Sequence, residues 1–330
     1  MITKKILKDS EAIDNKFDTM DQLNIQKIFF SFRVPNNHPR HNKISHYLIV
    51  QGEFDEILGK VSEEICFIID NNVSKISFIQ KFINLHKDCF LLTSEEGNTK
   101  TISFLNHFIK SNLYQKKYTT LVVIGGGLLT NCGAYIAEQL QIDLILVPTT
   151  VLSMADNSGG KVRINTIQGN NFYKHSYKSF YEPNQIIIDK RFLMTINQHI
   201  KKIGLVEIIK HSLFQSKKLY DYLLENTDNI LHNNAYLLKA ILRTIDLKRI
   251  CIEYDIDENE YGSKKILRAG HDISDKIEET MQFSIPHGYA VSIGLYQEAI
   301  QSNNLEFTKK VTKILDAFHL PKYIEELRNL

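Results

Sequence analysis

The sequence predicts an α/β protein: a Rossmann-like N-terminal domain with a parallel sheet, followed by an all-helical domain. Three observations carry this reading. Short, continuous apolar runs alternate with helical patterns through the first half, as parallel strands buried on both faces do. A run of three glycines joins one of these strands directly to a helix. After about residue 190 the β-type runs stop and amphipathic helices take over.

In chain order, strands are expected at "KIFFSFRV" (27–34), "HYLIVQG" (46–52), "ICFIID" (65–70), "CFLLT" (89–93), "TTLVVIG" (119–125), "DLILVP" (143–148) and "NQIIID" (184–189). Helices are expected between them at 73–86, 99–113 and 128–140, and strands alternating with helices of this length argue for a parallel sheet. Beyond residue 190, "NQHIKKIGLVEIIKHSLFQ", "AYLLKAILRTIDLKRICIEY", "HGYAVSIGLYQEAIQS" and "LEFTKKVTKILDAF" read as helices. The expected domains are residues 1–189 and 190–330.

Composition narrows the function. A net charge of +2 over 330 residues gives no field for nucleic acid. The four cysteines, Cys66, Cys89, Cys132 and Cys251, form no CxxC pair, so no zinc ribbon or disulfide framework is expected. A reducing cytoplasm is the natural reading. The charged N-terminus lacks an apolar core for a signal peptide, and no apolar run reaches membrane-spanning length.

The strongest local signal is "TTLVVIGGGLLTNCGAYIAEQL". Gly125, Gly126 and Gly127 let a backbone approach a ligand closely, and the helix start that follows favours anions. A dinucleotide pyrophosphate needs both. The spacing is not GxGxxG, and a tight strand–helix turn that binds nothing is the competing explanation. Asp70 and Asn72 lie just beyond a strand end, where such sheets hold ribose hydroxyls.

A second constellation lies in the helical half. Glu207 sits mid-helix in the apolar "GLVEIIKHSL", where a carboxylate is costly unless paired or metal-bound. His271 and His287, in "RAGHDISDKIEETMQFSIPHGYAV", could complete a three-ligand site for Zn²⁺ or a similar ion. The chain holds twelve histidines, and a lone histidine is more often a hydrogen-bonded or surface residue than a ligand.

Several segments in order resemble the 3-dehydroquinate synthase family of sugar-phosphate cyclases: "GGGLLTNCGAYIA", "VPTTVLSMADNSGGKVRIN", "YKHSYKSFYEP", "GLVEIIK", "DIDENEYGSKKILRAGH" and "IPHGYAV". The resemblance implies a dehydroquinate synthase-like fold. It also implies an NAD- and metal-dependent carbon–oxygen lyase, working as a homodimer on a small sugar phosphate without nucleic acid or membrane. The implied reaction oxidises a ring hydroxyl transiently, eliminates phosphate, returns the hydride and closes a carbocycle by an aldol step.

Carried over, the metal ligands are Glu207, His271 and His287, with Zn²⁺ or Co²⁺ as the ion. NAD would meet Asp70, Asn72, Glu96, Lys100, Gly125, Gly126, Gly127, Asn131, Thr149 and Thr150. Asp156, Lys161, Lys210, Lys248 and His271 would carry the chemistry. Lys174, His175, Lys264, Arg268 and Asp275 would face substrate.

The departures cluster at the substrate end. Asp275 stands where the family usually has a second histidine, and a carboxylate there repels an anion unless offset. His175 replaces an asparagine, Leu140 and Lys264 replace arginines, and Arg268 replaces an asparagine. Asn131 replaces an aspartate, as in the 2-deoxy-scyllo-inosose synthases, whereas "NSGGK" is closer to dehydroquinate synthase. The chain stops at "LPKYIEELRNL", before a DKK motif of the family. These departures favour a substrate other than the shikimate-pathway heptulosonate phosphate. A polyol or alcohol dehydrogenase of this architecture and a non-catalytic homologue are the alternatives.

Overall fold

A computed structural model describes residues 2–15, 27–33, 44–59, 64–157, 160–169, 171–255, 261–281 and 284–329. Ser158 and Gly159 of "NSGGK", residues 256–260 of "DIDENEYG" and Val34 lie outside the described residues.

The strands are β1 (Lys27–Arg33), β2 (Ile44–Gln51), β3 (Ile65–Asp70), β4 (Cys89–Leu92), β5 (Thr120–Gly125), β6 (Asp143–Pro148), β7 (Lys161–Gln168), β8 (Asn171–Phe180) and β9 (Gln185–Ile188). The helices are α1 (Ile2–Asp14), α2 (Phe54–Leu58), α3 (Ser77–Leu85), α4 (Ile102–Phe108), α5 (Gly127–Leu140), α6 (Val151–Asp156), α7 (Gln198–Phe214), α8 (Lys217–Glu225), α9 (Thr227–His232), α10 (Asn234–Tyr254), α11 (Tyr261–Leu267), α12 (His271–Thr280), α13 (His287–Gln301) and α14 (Leu305–Ala317).

The chain divides into two compact units, residues 24–195 and residues 1–23 with 196–330. In the first, seven strands form a sheet in the order β1-β2-β9-β6-β5-β3-β4. All neighbours are parallel except β1 and β2. Ile68, Ile69, Val122, Val123, Leu144, Val147 and Ile187 are buried in its centre, which is why these strands read as unbroken apolar runs. From β3 the chain steps outward to β4, then returns to place β5 on the other side of β3. The β3/β5 boundary is therefore the topological switch point, where open α/β sheets form a crevice beyond the strand ends. The antiparallel hairpin β7–β8 is a separate two-stranded sheet.

The second unit is helical and contains α1 as well as α7–α14. This corrects the expected boundary: the first residues belong with the helices, not with the sheet. The physical reason is the apolar face of α1, whose buried Ile6 packs with Ile250, Cys251, Ile266 and Leu267. Polar contacts anchor the same helix. Asp14 accepts from the buried Arg243 and from Ser216, and Gln215 donates to Ser10 Oγ at 3.2 Å. No described helix is long and apolar enough to cross a membrane.

Candidate active site

In the sheet unit, the expected cofactor residues gather at the C-terminal strand ends. Asp70 closes β3, Gly125 closes β5, and Thr149 follows β6. Register fixes their proximity: Gly125 pairs with Pro148, and the Thr149 N–H donates to Gly125 O at 3.0 Å. Gly126 caps α5 without any side-chain hydrogen bond, so the first amides of that helix have no capping acceptor of its own. A methyl group at Gly127 would meet nothing within 4 Å. This open turn at a helix start suits a pyrophosphate.

Other residues there have structural commitments. The Asp70 carboxylate accepts the Asn72 N–H at 2.8 Å and the Ser94 hydroxyl. The Asn131 amide donates to Gly127 O at 2.9 Å and accepts from Arg163 N at 3.0 Å, tying α5 to β7. Thr150 caps α6 in a reciprocal arrangement with Ser153.

Glu96, Lys100 and His175 are joined in one hydrogen-bonded ring. The buried Lys100 ammonium donates to Glu96 Oε1 at 3.0 Å and meets His175 Nε2 at 3.3 Å. Asn165 donates to Glu96 Oε2 at 2.8 Å and accepts from His175 N at 2.8 Å. His175 has a φ of 52°, where β7 and β8 lose register around Asn165, an irregularity of the kind that re-aims a side chain. Asp156 ends α6 exposed, Lys161 opens β7, and Lys174 lies half-buried in β8.

In the helical unit, Glu207, His271 and His287 come together, with one possible ligand atom from each inside a 4.8 Å span. Glu207 is buried on α7, and its Oε1 lies 3.9 Å from His271 Nε2. The two histidines open α12 and α13, with ring centroids 5.3 Å apart. Two glycines permit this approach. Gly270 turns the chain into α12 with a φ of 78°, and a methyl at Gly294 of α13 would fall 2.0 Å from Gly270 O.

Each imidazole has its Nδ1 beside an acceptor: Ala269 O at 3.2 Å for His271, and Glu278 Oε1 at 3.1 Å for His287. A carbonyl accepts, as does an ionised carboxylate, so both contacts place a proton on Nδ1, and in the neutral ring Nε2 is then the atom left to ligate. A buried carboxylate beside two such imidazoles fits a divalent ion with an open position. The buried Glu278 was not singled out in the sequence. Its signal is spacing, because it lies seven residues after His271 and hence on the same face of α12.

Lys210 and Lys248 are buried rather than solvated. Lys264 is exposed. Asp275 is half-exposed and bonded to Arg268 Nη2 at 3.1 Å, and Asp272 takes the same nitrogen at 3.0 Å. The carboxylate at this position is therefore offset by a guanidinium.

Residues 91–202 match the 3-dehydroquinate synthase N-terminal family and residues 204–329 its C-terminal family. The chain is 31% identical over 300 residues to the 3-dehydroquinate synthase of Saccharolobus solfataricus, covering 86% of this chain and 82% of that protein. Its fold is similar to that of 2-epi-5-epi-valiolone synthase from Streptomyces hygroscopicus, solved with NAD⁺ and Zn²⁺. The TM-score is 0.74 at 18% identity, over 88% of this chain and 84% of that one. It is also similar to 2-deoxy-scyllo-inosose synthase complexed with carbaglucose-6-phosphate, NAD⁺ and Co²⁺, with a TM-score of 0.72 at 20% identity, over 90% and 83% of the two chains.

Fold and matched segments together define a sugar-phosphate cyclase, one of the carbon–oxygen lyases. Within that class, the chain belongs to the 3-dehydroquinate synthase family.

Proposed function

We propose that the protein is an NAD- and divalent-metal-dependent cyclase whose substrate is a sugar phosphate other than the shikimate-pathway heptulosonate phosphate. The Glu207–His271–His287 cluster carries the metal part of this reading. The Arg268–Asp275 pair supports a changed substrate, since it stands where the family resemblance calls for an asparagine and a histidine.

Glu207, His271 and His287 would hold Zn²⁺ or Co²⁺. Gly125–Gly127 with Asp70, Asn72, Thr149 and Thr150 would hold NAD, together with Glu96 and Lys100 as the family resemblance implies. When bound, NAD supplies reversible hydride transfer and the ion supplies Lewis acidity at a substrate oxygen.

The protein's own residues do the rest. The Nδ1 contacts of both imidazoles fix the tautomer and ring orientation that would present Nε2 to the ion. Lys161, Lys174 and Lys248 would supply cations to an anionic substrate, and Asp156 a carboxylate to its hydroxyls. Family members act as homodimers, and we extend that assembly to this chain.

A competition assay tests the substrate. The loaded protein is given heptulosonate phosphate against a panel of other sugar phosphates, and kcat/KM is compared. A higher value for a panel member supports the reading. A preference for the heptulosonate phosphate overturns it.

A further inference from the structure

Lys210 lies one helical turn beyond Glu207 on α7, with its side chain only 2% exposed. Burying an ammonium is costly unless it is paired and hydrogen-bonded. Here it forms an ion pair with Glu207 Oε2 and donates to Leu267 O at 2.8 Å.

One partner is a candidate metal ligand, and the other precedes the turn that leads to a second. Leu267 ends α11, just before the turn that delivers His271. Its side chain is fixed in the cluster of Ile6, Ile250, Cys251 and Ile266, so its carbonyl is a rigid acceptor. One ammonium thus bridges the helix that carries Glu207 and the turn that carries His271. It also divides the work of the carboxylate: Oε2 faces Lys210, and Oε1 faces His271 Nε2 at 3.9 Å.

We infer that Lys210 is a positioning residue of the metal site, which holds Glu207 to one-oxygen ligation and sets its distance from His271. The inference rests on the metal reading above. One-oxygen ligation leaves three protein donors and room for a substrate oxygen, as catalytic zinc sites require. A lysine so engaged is a staple, in contrast to the substrate-contacting lysine implied by the family resemblance.

Co²⁺ alone is the probe, in equilibrium binding and in the visible absorption bands that report its coordination. The unaltered protein, Glu207→Ala, Lys210→Met and Lys210→Arg are compared without substrate or NAD. Lys210→Met is expected to bind Co²⁺ about 10–100-fold more weakly, the usual effect of losing a group that orients a ligand, and to change the intensity of the bands.

Should Lys210→Met not fold, Lys210→Arg decides. It keeps the charge, but its wider fork competes for both carboxylate oxygens, so weaker binding and altered bands are again expected. Affinity and bands equal to the parent's in either variant overturn the inference. Equal binding by the parent and Glu207→Ala is a different result, which overturns the metal reading itself.

Discussion

Glu278 Oε1 lies 3.1 Å from His287 Nδ1, with the Glu278 side chain 5% exposed. A buried carboxylate thereby sets both the tautomer and the orientation of one ring of the candidate metal centre. Glu278→Ala should weaken Co²⁺ or Zn²⁺ binding about 10–100-fold, measured by competition with a chromophoric chelator. Glu278→Gln, which still offers an acceptor, should weaken it less. Equal affinity in all three proteins would place Glu278 outside the metal centre.

The approach of α12 to α13 gives the next expectation. A side chain at Gly294 would collide with the Gly270 carbonyl, which is backbone and cannot swing aside. Gly294→Ala should cost about 1–3 kcal/mol in denaturant unfolding, the usual range for overpacking. Because the shift separates His271 from His287, metal affinity should fall as well. A variant with full stability and full affinity would contradict this account of how the two histidines meet.

The Arg268–Asp275 pair should matter little to folding. The two side chains are 36% and 51% exposed, and exposed ion pairs contribute less than about 1 kcal/mol. Asp275→Asn should therefore unfold within that margin of the parent. Asp275→His should not create activity on the heptulosonate phosphate, because Arg268 and the other substituted positions remain. A strong gain of phosphate release in that single variant would show that the rest of the site is of the ordinary family type.

Acid should destabilise the helical unit through His211. Burial, reinforced by the Lys210 ammonium, lowers its pKa from 6.5 to about 4. The unfolded chain then binds a proton between these values that the folded chain does not. Stability is fully present above about pH 6.5 and falls as pH drops toward 4. The loss at the acid end is on the order of 3 kcal/mol for this group. Urea midpoints across that range should decline less steeply for His211→Gln, whereas parallel slopes would exclude His211 as the cause.

Much of the sheet was legible because buried parallel strands are written as apolar runs. Val122, Val123 and Ile124, for example, have no polar neighbour inside β5. The hairpin was not. β8 reads "NFYKHSYKSF", with no fully buried residue, so it has no apolar run to reveal it. The placement of α1 was also invisible, because Asp14–Arg243 and Ile6–Leu267 join residues far apart in sequence. Glu207, His271 and His287 were suggested by residue type and an apolar setting, and the family resemblance raised them above the chain's other histidines, since each is ordinary by itself. The seven-residue spacing from His271 puts Glu278 on the face of α12 that carries the histidine, but its contact with His287 and the buried setting of Lys210 required coordinates.

The proposed cyclase reaction restores its NAD and has its ion at the Glu207 cluster. One assay reads it directly: inorganic phosphate and reduced NAD are followed together, with NAD⁺, Co²⁺ and a panel of sugar phosphates, for the parent and Glu207→Ala. Catalytic phosphate release without net reduced NAD is expected from at least one sugar phosphate, lost together with bound metal in Glu207→Ala. Net accumulation of reduced NAD without phosphate would contradict it in favour of a dehydrogenase. No turnover of either kind, with equal metal content in the two proteins, would contradict both the cyclase and its metal centre.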